Sequence, residues 1–73
     1  KLREVLAANL KRYRLAAGLS QEELAHRAHL DRTYVSSLER GRYSASVDKL
    51  EHLSIALGIE ASELLMRVTS ADE

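Results

Sequence analysis

Apolar residues recur along this 73-residue chain at intervals of three and four, the spacing of one face of an α-helix. Leu6 and Leu10 begin one such stretch, and Leu50, Leu53 and Leu57 form another. Polar cap residues and glycines separate the stretches. The pattern therefore predicts five helices, at about residues 2–16, 21–28, 32–40, 47–57 and 61–68.

Local signals mark where several of these helices begin and end. Ser20 and Glu23 have the spacing of a capping box before the second helix, and Asp31 and Ser46 are favourable N-caps for the third and fourth. The fifth helix has a weaker start, because Glu60 is a poor N-cap residue. Glycines suited to helix C-termini follow the first, third and fourth helices at Gly18, Gly41 and Gly58.

Composition agrees with an all-α fold of one domain, residues 1–73. Hydrophobic residues make up 45% and aromatic residues 4%, with no Trp, Phe or Pro, which favours small helices packed through Leu, Ala and Val. A chain of this length buries only ~60% of its unfolded surface, so a deep enzyme pocket is not expected. Without cysteine there are no disulfides or thiolate metal sites.

No apolar run approaches the ~18 residues that a membrane span requires, and nothing resembles a signal peptide. We therefore expect a cytoplasmic protein. The first residue is Lys rather than Met, so we expect the sequence to be a piece of a slightly longer chain.

Charge is distributed unevenly, although the formal net charge is zero. Residues 1–45 carry nine Lys and Arg against five Asp and Glu, a difference of +4, and residues 46–73 carry two against six, a difference of −4. Such a chain can present a basic face to a polyanion while staying soluble. The alternative is that the charges are scattered over a solvated surface.

The segment LDRTYVSSLERGR, residues 30–42, gives the third helix two unlike faces. At about 100° per residue, Val35 and Leu38 lie on the core side. Arginine offers a rigid fork of donors and hydroxyl groups can donate or accept, so the other face suits the edges of base pairs. That face spans about 140° and holds Arg32, Thr33, Ser36, Ser37 and Arg40.

Residues 19–41, LSQEELAHRAHLDRTYVSSLERG, resemble the helix-turn-helix of the lambda/434 repressor and Cro family, also called the XRE family. RYRLAAGLSQEELA and VDKLEHLSIALGIEASELL resemble that family's first and last helices, and DRTYVSSLERG is similar to controller proteins of restriction–modification systems. The resemblance implies a five-helix lambda-repressor-like DNA-binding domain with the motif at helices 2 and 3. Helix 3 would then enter the DNA major groove.

Several positions match the family pattern, and two depart from it. Gln21 opens helix 2, and Ala25 is the small residue where helices 2 and 3 touch. His29 occupies the turn position that is usually Gly, so we expect a strained left-handed backbone there. Ala45 stands where relatives commonly have Pro.

The resemblance assigns roles to further residues. It pairs Arg14 with Glu39, an arrangement that fixes helix 3 and lets the arginine reach a phosphate. The alternative is an ordinary surface ion pair of ~0–1 kcal/mol. Base reading falls to Arg32, Thr33, Ser36 and Ser37. The phosphate-binding candidates, for which plain solvation is the alternative, are Gln21, Arg14, Tyr34, Arg40, Arg42, Tyr43 and Ser44.

The predicted function is a sequence-specific transcriptional regulator that binds double-stranded DNA as a homodimer on a palindromic operator. The alternative function is a protein-interaction or antitoxin-type module on the same fold, against which the polar face of helix 3 argues. The candidate dimer interface is Leu64, Leu65, Met66 and Val68, unless these residues simply complete the core.

Catalysis is not predicted. His26, His29 and His52 lack metal-ligand spacing and there is no Gly-rich phosphate loop. We expect these histidines on helix surfaces or turns, and Tyr13 in the core. No metal, cofactor, membrane or small-molecule ligand is predicted.

Overall fold

The computed structural model describes residues 1–68, which form five helices. The first four agree with the predicted bounds to within one residue, which confirms the pattern of caps and apolar positions. The fifth ends at Leu64, so its predicted extent to residue 68 is wrong. The helices are α1 (Leu2–Ala16), α2 (Gln21–Ala28), α3 (Arg32–Glu39), α4 (Val47–Leu57) and α5 (Ala61–Leu64).

Asn9 on α1 explains the early end of α5. Its side chain is buried, and its Nδ2 donates to the carbonyls of Leu64 at 3.0 Å and Met66 at 2.8 Å. The Leu65 amide donates to the Ser62 carbonyl at 3.1 Å, a tighter turn than that of an α-helix. A long-range side chain thus takes carbonyls that a longer helix would use itself.

The predicted caps of α2 and α4 are present. The Glu23 amide donates to Ser20 Oγ at 3.0 Å, and the Ser20 amide donates to Glu23 Oε1 at 2.8 Å. The hydrogen bonds from the Ser20 amide and hydroxyl lower the pKa of the Glu23 carboxyl. Ser46 Oγ accepts from the Lys49 amide at 3.1 Å. Asp31 occupies the N-cap of α3, but its side chain accepts no capping hydrogen bond.

The turn between α2 and α3 forms with histidine in place of glycine. His29 has φ 59° and ψ 43°, and within residues 1–68 no other non-glycine residue has a positive φ. The Leu30 amide donates to the Ala25 carbonyl at 2.8 Å, as in a Schellman C-cap. The left-handed backbone expected at this position is therefore confirmed.

Each helix contributes a fully buried leucine to the core. Packed around them are Ala25 and Ala28, small residues that let α2 approach α3 closely. Tyr13 is half-buried against this cluster, and its hydroxyl donates to Glu63 Oε1 at 3.1 Å. Leu64 lies in the core, so its assignment to a dimer interface is wrong. The five leucines are Leu10, Leu24, Leu38, Leu53 and Leu64.

The three histidines are exposed, on α2, at its C-cap and on α4. Within residues 1–68 no group of three or more His, Asp or Glu side chains could hold a metal ion. In the same part of the chain no helix is long and apolar enough to cross a membrane.

Candidate nucleic-acid interface

The outward side of α3 is polar, as predicted. Arg32, Thr33 and Arg40 are exposed and Ser37 is half-buried. The opposite side of α3 packs into the core, where α1 and α2 cover it. The exposed side therefore presents guanidinium and hydroxyl groups without a large aliphatic side chain among them.

Ser36 does not belong to this exposed set, and its sequence-based assignment is corrected. It is only 8% exposed, and its hydroxyl accepts a hydrogen bond from Arg40 Nη1 at 2.6 Å. A helical wheel gives the direction of Ser36 but cannot show that neighbouring helices and Arg40 cover it. Ser36 instead positions Arg40, one turn further along α3.

Arg14 and Glu39 join α1 to the end of α3 through a bidentate ion pair. Arg14 Nε lies 2.6 Å from Glu39 Oε2, and Nη2 lies 3.0 Å from Oε1. Their side chains are 10% and 4% exposed, so the surface ion pair is excluded and the structural pairing is confirmed. The hydrogen bonds to the carboxylate raise the pKa of Arg14.

The same pair fixes the start of α2. Arg14 Nη1 donates to the Leu19 carbonyl at 2.8 Å, and Gln21 Nε2 donates to Glu39 Oε1 at 3.1 Å. All three guanidinium nitrogens of Arg14 thus have partners inside the domain. This burial favours a structural role for Arg14 over the phosphate contact that the sequence suggested, whereas Gln21 is half-buried at the edge.

A second edge of α3 lies at Tyr34, about 140° around the helix from Glu39. The Tyr34 hydroxyl donates to the Ser44 carbonyl at 3.4 Å, and the Tyr34 and Tyr43 ring centroids are 6.3 Å apart. Lys49 Nζ on α4 lies 5.4 Å from the Tyr34 ring centroid. Burial raises the pKa of the Tyr34 phenol. These contacts join α3, the following loop and α4.

The loop after α3 exposes most of the remaining predicted phosphate-binding residues. Gly41 has φ 72° and turns the chain away from the helix axis. Arg42, Tyr43 and Ser44 then follow on the surface, and Arg40 lies exposed at the C-cap of α3. The structure thus brings Tyr34 and this loop together at one edge of the exposed face.

Lys49 was missed by the sequence interpretation. By position it belongs to the acidic segment, residues 46–73, and a lysine inside α4 carries no signal of its own. Only the packing of α4 beside the loop brings its ammonium group to the Tyr34 ring.

The predicted dimer residues do not form one surface. Leu65 lines a groove between α4 and α5 together with Val47, whereas Val68 lines a different groove beside α1. Met66 is exposed. With Leu64 in the core, the predicted set is divided among three environments.

The HTH_3 helix-turn-helix family matches residues 10–64. The chain belongs to this family. The match contains α2 and α3 with the contacts that hold them, so the relationship predicted from residues 19–41 and the all-α fold are both confirmed.

Known relatives of this helix-turn-helix chain are regulators by name. A hypothetical transcription factor from Neisseria meningitidis is 48% identical over 65 residues, covering 89% of the chain and 61% of that relative, so the chain spans less than two thirds of its length. The control protein C.BamHI from Bacillus amyloliquefaciens is 38% identical over 65 residues, covering 88% of the chain and 80% of that protein.

A solved structure shares the arrangement. The restriction–modification controller protein C.AhdI from Aeromonas hydrophila superimposes with a TM-score of 0.83 at 42% identity, covering 85% of the helix-turn-helix chain and 94% of C.AhdI.

Proposed function

We propose that this helix-turn-helix regulator binds double-stranded DNA as a homodimer and reads a palindromic operator with α3 in the major groove. One observation carries the proposal. The exposed face of α3 is polar, and contacts with α1, α2, the loop and α4 hold both of its edges in place. A rigid polar helix face of this kind suits the donors and acceptors of base-pair edges.

Base reading is proposed for Arg32, Thr33 and Ser37. Arg32 stands in the first turn of α3, the part of a recognition helix that contacts base edges, and it is exposed. Phosphate contacts position the protein without reading sequence. We assign them to Gln21, Tyr34, Arg40, Arg42, Tyr43 and Ser44.

Dimerisation is proposed through the groove between α4 and α5. Val47 is 81% exposed, an unusual position for a large aliphatic residue unless another surface covers it. Leu50 and Leu65 extend this apolar lining. The same groove on two copies can form a two-fold contact.

The named relatives support a narrower regulatory role. C.BamHI and C.AhdI carry the names of control proteins, and C.AhdI belongs by its name to a restriction–modification system. We propose that this chain likewise controls the genes of such a system.

Selection of binding sites from random duplexes tests the function. We expect a consensus of two inverted half-sites separated by about one helical turn, ~34 Å. Affinity for that site should fall steeply as salt rises, because phosphate contacts release counterions. Recovery of no consensus, together with salt-independent or absent DNA binding, would favour the protein-interaction alternative.

A further inference from the structure

The exposed side of α3 is bounded by two edges that different helices hold. Glu39 lies at one edge, where Gln21 of α2 contacts it. Tyr34 lies at the other, where Ser44 of the loop and Lys49 of α4 contact it. A helix in the major groove, which is about 12 Å wide, lies between two phosphate backbones. The two edges therefore face different strands.

Lys49 holds a cationic group at the second edge. Its Nζ lies 5.4 Å from the centre of the Tyr34 ring, within the range of a cation–π contact. No carboxylate of residues 1–68 lies within ion-pair distance of it; the ion pairs there are Arg14–Glu39 and the terminal amine with Glu4. An aromatic face attracts the ammonium group without neutralising its charge.

The base of the Lys49 side chain is also fixed. Its amide donates to Ser46 Oγ in the first turn of α4, and Tyr34 donates to Ser44 just before that turn. The charge is thus set beside the loop that carries Arg42, on a different element of the fold.

We propose that Lys49 contacts a DNA phosphate and, with Arg42, forms the phosphate-binding edge opposite Gln21. The inference rests on the proposed DNA-binding function and extends it to α4. Lys49 adds affinity for every duplex alike, since a phosphate contact carries no base information.

The test is Lys49→Met, measured by fluorescence anisotropy on the selected operator and on an unrelated duplex between about 50 and about 200 mM salt. The expected slope of log K against log salt is shallower than wild type by about 0.9. Over this fourfold range, the wild-type affinity should then fall about 3.5 times more than that of the variant. The ratio of affinities for the two duplexes should not change, and Lys49→Arg should restore the wild-type slope.

Lys11→Met is the matched control, because Lys11 is exposed on α1 beside the exposed Ala8 and Leu15, on the side away from the core. It should keep the wild-type slope. A Lys49→Met slope equal to wild type overturns the assignment of Lys49 and leaves the proposed function intact. Equal slope changes in Lys49→Met and Lys11→Met also overturn it, since they would reflect total charge. Absence of wild-type binding overturns the function and this inference together.

Discussion

Glu39 is a carboxylate inside the domain that accepts three hydrogen bonds, two from Arg14 and one from Gln21. Burying two charges costs free energy that only well-placed partners offset. Here the bidentate geometry supplies the partners, and the product is a rigid joint among α1, α2 and α3. Removal of one member leaves the other charge buried alone.

Glu39→Ala should therefore destabilise the domain by about 3–5 kcal/mol, because Arg14 keeps its charge with only the Leu19 carbonyl as partner. Urea unfolding followed by circular dichroism measures the change. Glu22→Ala is the control, since Glu22 is exposed on α2, and it should stay within about 0.5 kcal/mol of wild type. Equal stability of wild type and Glu39→Ala would show that the pair contributes nothing to folding.

Arg32 and Arg42 should differ in what they contribute to DNA binding. An arginine in the first turn of α3 can donate two hydrogen bonds to guanine, worth ~1–3 kcal/mol of discrimination, so Arg32→Ala should flatten the preference at one base pair per half-site. Arg42→Ala in the loop should weaken all sequences alike and reduce the salt slope by ~1.

Affinities for all four bases at each half-site position measure the difference. A uniform loss in Arg32→Ala would reassign Arg32 to the phosphate backbone and leave base reading to Thr33 and Ser37.

Residue roles were predictable where sequence spacing alone decides them. The resemblance predicted the pairing of Arg14 with Glu39, and the wheel predicted that Val35 and Leu38 are buried. Ser36 was misplaced because its burial depends on Arg40, whose side chain folds back over one helical turn.

Among the structural elements, the turn at His29 carries backbone strain. A left-handed conformation costs a residue with a Cβ roughly 1–2 kcal/mol, and glycine recovers this at some cost in chain entropy. His29→Gly should thus stabilise the domain by about 0.5–1 kcal/mol and raise Tm by about 2–8 °C. Thermal unfolding provides the measurement.

Gly58→Ala is the complementary control for that strain. Gly58 has φ 70° and open space where a Cβ would lie, so a loss of about 1 kcal/mol there reports the backbone alone. A lower Tm in His29→Gly would mean that the imidazole contributes more than its strained backbone costs.

The capping box of α2 should make stability depend on acid pH. Because hydrogen bonds lower the pKa of Glu23 in the folded state, its contribution is fully present above the unfolded value of about 4.3. That contribution is lost as the pH falls through the folded pKa. Wild type should melt above Glu23→Gln near pH 7, and the gap should close near about pH 2. Glu22→Gln, without a capping contact, should show no such closure; a constant gap for Glu23→Gln would contradict the mechanism.

Helix boundaries followed from sequence where local signals set them. Ser20, Ser46 and Gly58 mark the ends of α2 and α4 with contacts inside the same turn. α5 was overextended because Asn9, more than fifty residues away in sequence, ends it. Local periodicity has no access to such a contact.

On the scale of the whole molecule, the described residues measure 35 × 23 × 18 Å. A half-site spacing of ~34 Å is thus close to one subunit length, so two adjoining copies can present both α3 helices to one side of a duplex. Lys49 also qualifies the charge division of the chain, since folding carries this lysine of the acidic segment to the Tyr34 edge. Three-dimensional placement decides the basic surface, which summed charges along the sequence only approximate.

Val47→Lys should convert the proposed dimer into a monomer without loss of the fold, because Val47 is highly exposed and the new charge would be buried against the partner copy. Sedimentation at tens of micromolar, free and on a palindromic duplex, measures the assembly state, and thermal unfolding checks the fold. Leu15→Lys, an equally apolar-to-charged change on α1, should remain dimeric. Dissociation by Val68→Lys instead would move the interface to the groove beside α1, and a monomeric wild type under both conditions would exclude the dimer.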